Sequence, residues 1–347
     1  MTERRSQPSI EDLIQKALER VVTAGTHLST AIDDVFAILR PSERLATDVR
    51  AALFAALRTR RQPDASGIQA PYHVFPAWLR SRLSDDHMQA LLTDAPVSLR
   101  TNTLKTDRDS LLSALSPHEA RPIAGSAVAL TVQRPFGLFR TEAYRKGLFE
   151  QQDYSSQRVV PALAVEPGMR VVDACAGNGG KTLHLAAEMH NKGRIIALDP
   201  HEHKLAALRS RAARAGVTIV EPRVITSTKV VKRLADSADR VLIDAPCTGT
   251  GVIRRNPDIL WHMTEEVLFD LLALQRDILR RNAAIVRAGG RLVYATCSLL
   301  PEEGEEQIRR FLGEAREFSL AEESRTDVTT TSDDGFYIAV LTRSGSA

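Results

Sequence analysis

Two cysteines stand in matching contexts: Cys247 in Asp244-Ala-Pro-Cys-Thr-Gly-Thr-Gly251, and Cys297 in Tyr294-Ala-Thr-Cys-Ser298. Each directly follows an apolar, strand-like run. Upstream lies the glycine-rich turn Asp173-Ala-Cys-Ala-Gly-Asn-Gly-Gly-Lys-Thr182. A free thiol, with a pKa of about 8.5, becomes a useful nucleophile only where its surroundings favour the thiolate, as a helix N-terminus or a nearby cation does. Lys181, Arg254 and Arg255 are the candidate cations. A lone buried cysteine is more often a small hydrophobe than a nucleophile. Two in parallel contexts, one sharing a proline-stiffened corner with the carboxylate of Asp244, point to a thiolate working beside a bound small molecule.

The turn itself narrows that molecule. Gly-Gly-Lys-Thr resembles the end of a phosphate-binding loop, but the position five residues before Gly180 is Cys175 where that loop needs glycine, so a nucleoside triphosphate is excluded. A dinucleotide fingerprint fails as well: after Gly177-Asn-Gly179 the sixth position is Thr182 and not glycine. A strand-to-helix turn remains, whose amides and helix N-terminus can face a carboxylate, with Asp199 ending the next strand where it can hold two ribose hydroxyls. S-adenosylmethionine carries both groups. The plainer alternative is that the glycines only tighten the turn and Asp199 caps the following helix.

Alternating elements must position these residues. From Val159 onward, strand candidates at Arg170–Ala174, Arg194–Leu198, Arg240–Asp244 and Arg291–Thr296 alternate with helical patterns at Lys181–Met189, Glu202–Ala215, Glu265–Val286 and Glu302–Glu317. That rhythm predicts a doubly wound α/β domain with a mostly parallel sheet, whose ligands bind at the carboxyl ends of the strands. All three cysteines, Asp199 and Asp244 fall at such ends. The N-terminal region reads instead as helices over Glu11–Ala24, Thr30–Leu39 and Ser42–Leu57, with Ser42 as an N-cap. A charged, Pro- and Gly-containing break at Arg58–Gly67 marks a linker. Between it and about Arg145, a short helix around Phe75–Leu83 and strand-like runs at Val97–Leu104 and Ala127–Val132 suggest a small α/β subdomain. The expected division is 1–67, 68–145 and 146–347.

Composition excludes some classes. The 347 residues are 43% hydrophobic and 26% charged, an ordinary globular balance. No apolar run reaches the roughly 20 residues of a membrane span, and the first ten residues lack a signal-peptide core, so a cytoplasmic protein without membrane partners is expected. Three cysteines without Cys-x-x-Cys spacing indicate neither a disulfide framework nor a zinc site, and no metal is expected. A net charge of +3 allows a nucleic-acid partner without requiring one.

Taken together, these segments resemble the RNA (cytosine-5) methyltransferases of the Sun/Nop2 (RsmB-like) family. Asp173–Thr182 is similar to the family's Asp-x-Cys-Ala-Ala-Pro-Gly-Gly-Lys-Thr, and Asp244–Asp258 matches its Pro-Cys segment nearly throughout. Thr296-Cys297-Ser298 with Glu302-Glu-Gly-Glu305 resembles its Thr-Cys-Ser and Glu-Glu-Asn-Glu element. Gly147–Gln157, Ser98–Lys105 and Gly335–Leu341 resemble its lead-in segment, its preceding RNA-binding subdomain and its closing strand. The likeness covers roughly residues 70 to 345. It implies a Rossmann-like class I methyltransferase fold with a small α/β subdomain, and an N-terminal helical region that is a reduced version of the NusB-like domain carried by some members. Three departures stand out: Gly177-Asn178 replaces Ala-Pro in the cofactor loop, no acidic residue occurs at Ile225–Ser227, and the N-terminal helices are short.

The resemblance implies an S-adenosylmethionine-dependent enzyme acting on carbon 5 of cytosine in structured RNA, with ribosomal RNA favoured and transfer RNA as an alternative. Carbon 5 is too weak a nucleophile to attack a methyl sulfonium until a thiolate adds to carbon 6. Chemistry alone leaves the order of the cysteines open; the resemblance implies Cys297 as nucleophile and Cys247 as the releasing thiol. Asp244, if burial raises its pKa, hydrogen-bonds or protonates the ring. Lys181 orients groups between cofactor and base. The cofactor is expected to contact Cys175, Ala176, Gly177, Asn178, Gly179, Gly180, Lys181, Asp199 and Asp244. Arg100, Lys105, Arg140, Arg145, Lys146, Arg254 and Arg255 are expected to meet the RNA backbone. The rival readings are an RNA-binding or assembly factor with a degenerate catalytic domain, against which the intact Asp244, Cys247 and Cys297 argue, and a nicotinamide-dependent reductase, disfavoured by the failed fingerprint.

Overall fold

A computed structural model of the chain describes residues 9–62, 67 and 72–345, so the expected linker over 58–67 lies partly outside the described residues. They form two compact units: one runs to Asp94 and includes Val252–Val267, the other comprises Ala95–Gly251 and Leu268 onward. The three-part division expected from sequence cuts the chain elsewhere and stands as a proposal about function.

The first unit is built on three amphipathic helices. Helix α1 (Ile10–Ala24) starts at a capping box in which Ser9 and Asp12 satisfy each other's backbone amides, and it stops at Gly25 with φ +67°. Helix α2 spans Leu28–Leu39, and α3 spans Glu43–Thr59, where the Ser42 hydroxyl accepts from the Leu45 amide at 3.4 Å, the cap its sequence position predicts. Leu13, Ala17 and Val21 on α1, Leu28, Ala31 and Val35 on α2, and Val49, Leu53 and Leu57 on α3 recur at helical spacing and bury one common face, against which Trp261 packs. Each fully buried Leu or Val stabilises by about 1.5–3 kcal/mol, and that face, rather than propensity, holds the short helices. The helix expected around 75–83 is a single short turn, Ala77–Arg80, which follows a 3₁₀ turn at Tyr72–Val74.

The second unit holds two sheets. Strands β1 (Val97–Thr101), β2 (Ala120–Pro122), β3 (Ala129–Val132) and β4 (Phe149–Gln151) form a small antiparallel sheet in the order β2-β3-β1-β4, with Leu99, Leu111, Leu130 and Phe149 as its core. The seven-stranded sheet runs β10-β11-β9-β8-β5-β6-β7. Its strands are β5 (Arg170–Asp173), β6 (Arg194–Asp199), β7 (Val220–Val224), β8 (Ala238–Asp244), β9 (Val286–Thr296), β10 (Phe318–Thr326) and β11 (Phe336–Arg343). Strands β7-β6-β5-β8-β9 are parallel, and β11 pairs antiparallel with both β9 and β10. Alternate residues enter opposite cores: Val171 lies in one apolar cluster and Val172 in the other, so both faces are covered, as a parallel sheet requires. The doubly wound prediction holds.

The order in which strands join the sheet reverses between β5 and β8, since β6 and β7 lie to one side of β5 and β8 and β9 to the other. A crevice at the carboxyl ends of the strands follows from that switch. The expected helix over 265–286 ends at Ala283, because Val286 already opens β9; the one expected over 302–317 is a 3₁₀ turn, Pro301–Glu303, followed by a helix, Glu305–Glu314. Among the described residues, no helix is long and apolar enough to cross a membrane.

Candidate functional site

The glycine-rich turn joins β5 to the helix Gly180–Glu188, and its glycines are there for backbone reasons. Gly177 and Gly179 have φ of +53° and +87°, and a Cβ on Gly179 would come 2.1 Å from Leu208 Cδ1. The turn is fastened to neighbouring strand ends by Ala174 N to Leu242 O at 2.8 Å and Ala176 N to Leu198 O at 2.9 Å. The Gly177 amide donates to Asp199 Oδ2 at 3.0 Å, while Asp199 Oδ1 accepts from the His201 amide at 2.8 Å. Asp199 therefore both shapes the loop and braces the turn into the next helix. At the foot of the turn Thr182 donates to the fully buried Asp173 at 2.7 Å, and burial pushes the Asp173 carboxyl up to about 6.

These elements border a cleft of about 400 Å³ lined by Cys175, Gly177, Asp199, Lys204 and Asp244, with Ile225, Pro246, Leu274 and Ile278 as apolar walls. Four of the expected cofactor residues line it: Cys175, Gly177, Asp199 and Asp244. Ala176, Asn178, Gly179, Gly180 and Lys181 shape the turn without lining the cleft. Ile225 stands where an acidic residue was expected, and neither Thr226 nor Ser227 is among the lining residues. A larger cavity of about 510 Å³, bordered by Tyr154, Arg158, His184 and Glu188, includes none of these groups.

The two thiols converge. Cys247 Sγ and Cys297 Sγ lie 3.5 Å apart, close enough for one to donate to the other. The Cys297 sulfur and burial together push the Cys247 thiol well above its usual range. The Cys247 thiolate is thereby disfavoured, and at this separation either sulfur can donate to the other. Burial also pushes Cys175 up, so that side chain packs rather than reacts. Lys181, with its side chain 10% exposed, donates to Asp244 Oδ2 at 2.7 Å and lies 4.9 Å from the centre of the Phe336 ring. Asp244 was expected to protonate the ring only if burial raised its pKa; its side chain is 31% exposed and ion-paired.

A buried network fixes this geometry. Glu303, with no solvent exposure, accepts from the Thr248 amide at 2.8 Å, Gln275 Nε2 at 2.9 Å and Ser298 Oγ at 2.6 Å, and from the Thr248 hydroxyl. It ties the segment after Cys247 to the residue after Cys297. The Gly251 amide donates to the Cys297 carbonyl at 3.0 Å, and a Cβ on Gly251 would meet Gly335 O at 2.1 Å. Sequence reading missed the roles of Glu303, Gln275 and Phe336; the acidic run after Cys297 was the only signal, and nothing local says which of its glutamates turns inward.

The sequence profile of the family described as 16S rRNA methyltransferase RsmB/F matches residues 160–342, more than half of the chain. The chain belongs to that family. It is similar to the probable ribosomal RNA small subunit methyltransferase B of Bacillus subtilis, 37% identical over 226 residues that make up 64% of this chain and 50% of the relative. It is also 32% identical to the probable ribosomal RNA small subunit methyltransferase B of Synechocystis, over 78% of this chain and 67% of that one. The chain thus spans about half of the first relative and two thirds of the second. The crystal structure of the protein PH0851 matches with a TM-score of 0.78 and 28% identity, covering 96% of this chain and 82% of that one. The fold is that of the Rossmann-like class I methyltransferases.

Membership of the RsmB/F family sharpens the reading of the basic residues. Arg100 is 2% exposed and donates to Gly180 O at 3.0 Å and to Gln152, so it supports the glycine turn and cannot meet a phosphate. Arg254 is 3% exposed and is withheld from solvent likewise. Lys105 caps backbone carbonyls of Lys146 and Arg214 at 2.8 and 2.7 Å. Arg140, Arg145 and Lys146 are exposed, beside Phe136 and Phe139, which are 52% and 45% exposed. Exposed aromatics among cations suit unstacked RNA bases.

Proposed function

We propose that this chain transfers a methyl group from S-adenosylmethionine to carbon 5 of a cytosine in structured ribosomal RNA, by way of a thiolate adduct at carbon 6. Its setting would be the cytoplasm. The observation that carries this reading is the approach of Cys247 to Cys297 at 3.5 Å, in a unit that also pairs Lys181 with Asp244 at the edge of the cleft.

The cleft's residues fit the cofactor. Asp199, 5% exposed, faces it with a carboxylate whose Oδ2 accepts one backbone amide and so retains capacity for a ribose hydroxyl, while Oδ1 meets both the His201 amide and, at 3.1 Å, His201 Nδ1. The apolar walls of Ile225 and Ile278 suit an adenine ring. With Ile225 in place of an acid, recognition on that side rests on shape and burial. When bound, S-adenosylmethionine supplies an electrophilic methyl group on a sulfonium.

The protein's own groups do the rest. The Cys297 thiolate adds to carbon 6, forming a sulfur–carbon bond and leaving an electron pair available at carbon 5. The Lys181 ammonium, held by Asp244, balances the negative charge that develops on the pyrimidine ring, and the Asp244 carboxylate accepts from the exocyclic amino group. After methylation, solvent water takes the carbon 5 proton, the electron pair of that C–H bond restores the 5,6 double bond, and the sulfur–carbon bond breaks to expel the Cys297 thiolate. Cys247, protonated and 3.5 Å away, donates to the departing thiolate and speeds release. The base must leave its stack or come from a loop, since carbons 5 and 6 are not approached from above within a duplex.

The test is incubation with labelled S-adenosylmethionine and ribosomal RNA, transfer RNA serving as the competing substrate. Cys297→Ala is expected to abolish both methyl transfer and covalent complex, whereas Cys247→Ala accumulates a protein–RNA adduct on a denaturing gel. Adduct trapped by Cys297→Ala would exchange the two roles, and failure to bind the cofactor with RNA affinity retained would sink the enzyme reading.

A further inference from the structure

In the first compact unit three metal-ligand side chains converge. His27 precedes α2; Asp258 and His262 sit four residues apart on a single helical turn, Ile259–His262 with its preceding residue, and so share a face. His27 Nδ1 lies 3.6 Å and His262 Nε2 lies 3.7 Å from the same oxygen, Asp258 Oδ2. The three ligand atoms all fall within 4.8 Å of one another, and among the described residues this is the only group of three or more such side chains to do so.

Those separations are too long for hydrogen bonds but close to what a shared cation requires. Zinc at 2.0–2.1 Å from imidazole nitrogen and 2.0–2.2 Å from carboxylate oxygen, in tetrahedral geometry, sets its ligands about 3.3–3.5 Å apart. Proton placement points the same way. His262 Nε2 is buried without a hydrogen-bond partner, and the side chain is 10% exposed. The hydrogen bond that this ring makes to the Thr26 backbone therefore runs from Nδ1. Nε2 faces the Asp258 oxygen at 3.7 Å, beyond hydrogen-bond reach. A backbone carbonyl holding Nδ1–H is also the usual outer partner of a metal-bound histidine. Asp258 is itself oriented, since Oδ2 accepts from the Leu28 amide at 3.0 Å. His27, 74% exposed, can turn to complete the set and leaves the remaining position to solvent.

We infer that His27, Asp258 and His262 bind one divalent transition-metal ion, with Zn²⁺ the favoured occupant, through two imidazole nitrogens and one carboxylate oxygen. The ion would cross-link the N-terminus of α2 to a turn about 230 residues later in the chain, a structural role apart from methyl transfer. Cysteine spacing gave no hint of it, because its ligands are a histidine–carboxylate set assembled by the fold.

The probe is Co²⁺ and then Zn²⁺, added to the full-length, metal-stripped protein carrying no histidine tag. Comparison variants are His27→Ala, which alters an exposed side chain, His262→Ala, and the pair Cys247→Ser with Cys297→Ser. We expect one equivalent of metal after gel filtration, a visible cobalt d–d band without sulfur-to-cobalt charge transfer, and a zinc-dependent rise in Tm. Affinity falls at least tenfold in His27→Ala and in His262→Ala, is kept in the double cysteine variant, and methyl transfer by His27→Ala is unchanged. Absence of uptake, uptake undiminished in His27→Ala, or uptake that disappears with the cysteines would overturn the inference and leave the triad as a cap on α2.

Discussion

Asp173 shows how much an invisible carboxylate can govern. It is fully buried, one oxygen accepts from Thr182, the other has no partner, and its pKa rises to about 6 from an unfolded value near 3.8. The native state therefore binds the proton more tightly than the unfolded state does, so stability is full below about pH 4 and declines as pH rises through about 6. The difference of about two pKa units corresponds to roughly 3 kcal/mol, an upper estimate for this one group. Asp173→Asn, which can still accept from Thr182, should abolish that decline; denaturant midpoints measured between pH 4 and 7 check it, and an unchanged slope would show the loss comes from other groups. At the same scale, Lys181 is worth testing apart from the thiols. Lys181→Met keeps the stem that packs near Phe336 and removes the ammonium beside Asp244. A drop in kcat of about 100-fold is expected, within the range of positioned proton and charge effects, with cofactor Kd unchanged by calorimetry.

At the scale of elements, the site depends on two loops staying in register, and Glu303 is what couples them. In Glu303→Gln an amide N–H₂ would face donors from Thr248, Ser298 and Gln275, leaving donor against donor in a dry interior. The expected cost is roughly 2–4 kcal/mol in denaturant-measured stability, with kcat falling while cofactor affinity holds. Loss of cofactor binding instead would mean that the whole sheet end had collapsed. That network also marks the limit of what sequence conveys. The glycine turn, the strands ending at Asp173, Asp199 and Asp244, and both cysteine loops were legible because each is a local pattern: apolar run, glycine, polar residue at the strand end. Strands β7 and β10 were not, because they are sheet edges without an apolar signature: β7 contains Pro222, and β10 exposes Glu322 and Glu323. Glu303, the Lys181–Asp244 pair and the His27–Asp258–His262 set come from residues distant in the chain, and only the fold brings them together. Arg100 misled for the same reason: an arginine looks like a phosphate ligand until Gln152 and the Gly180 carbonyl are seen to satisfy it.

For the whole molecule, the question is how a chain with a net charge of only +3 would hold RNA. Its field is too weak for long-range attraction to dominate, so affinity must come from local placement of cations and aromatic faces. In the second unit, the side chains of Arg134 and Lys146 form exposed ion pairs with Glu119 and Glu142 at 2.8 and 2.7 Å. Exposed pairs are worth little, so a phosphate can displace the carboxylate. If these two residues with Arg140 and Arg145 supply about four phosphate contacts, the plot of log affinity against log salt should slope by roughly −3 for single-stranded target. Arg145→Ala with Lys146→Ala should make that slope shallower by about one unit. Phe136→Ala with Phe139→Ala should leave the slope alone and lower affinity at every salt concentration by roughly tenfold or more, since stacking is worth about 1–3 kcal/mol per base. Fluorescence anisotropy with a short ribosomal RNA fragment over a salt series separates the two effects. A slope near zero, or aromatic variants that bind as wild type does, would move RNA recognition away from this face.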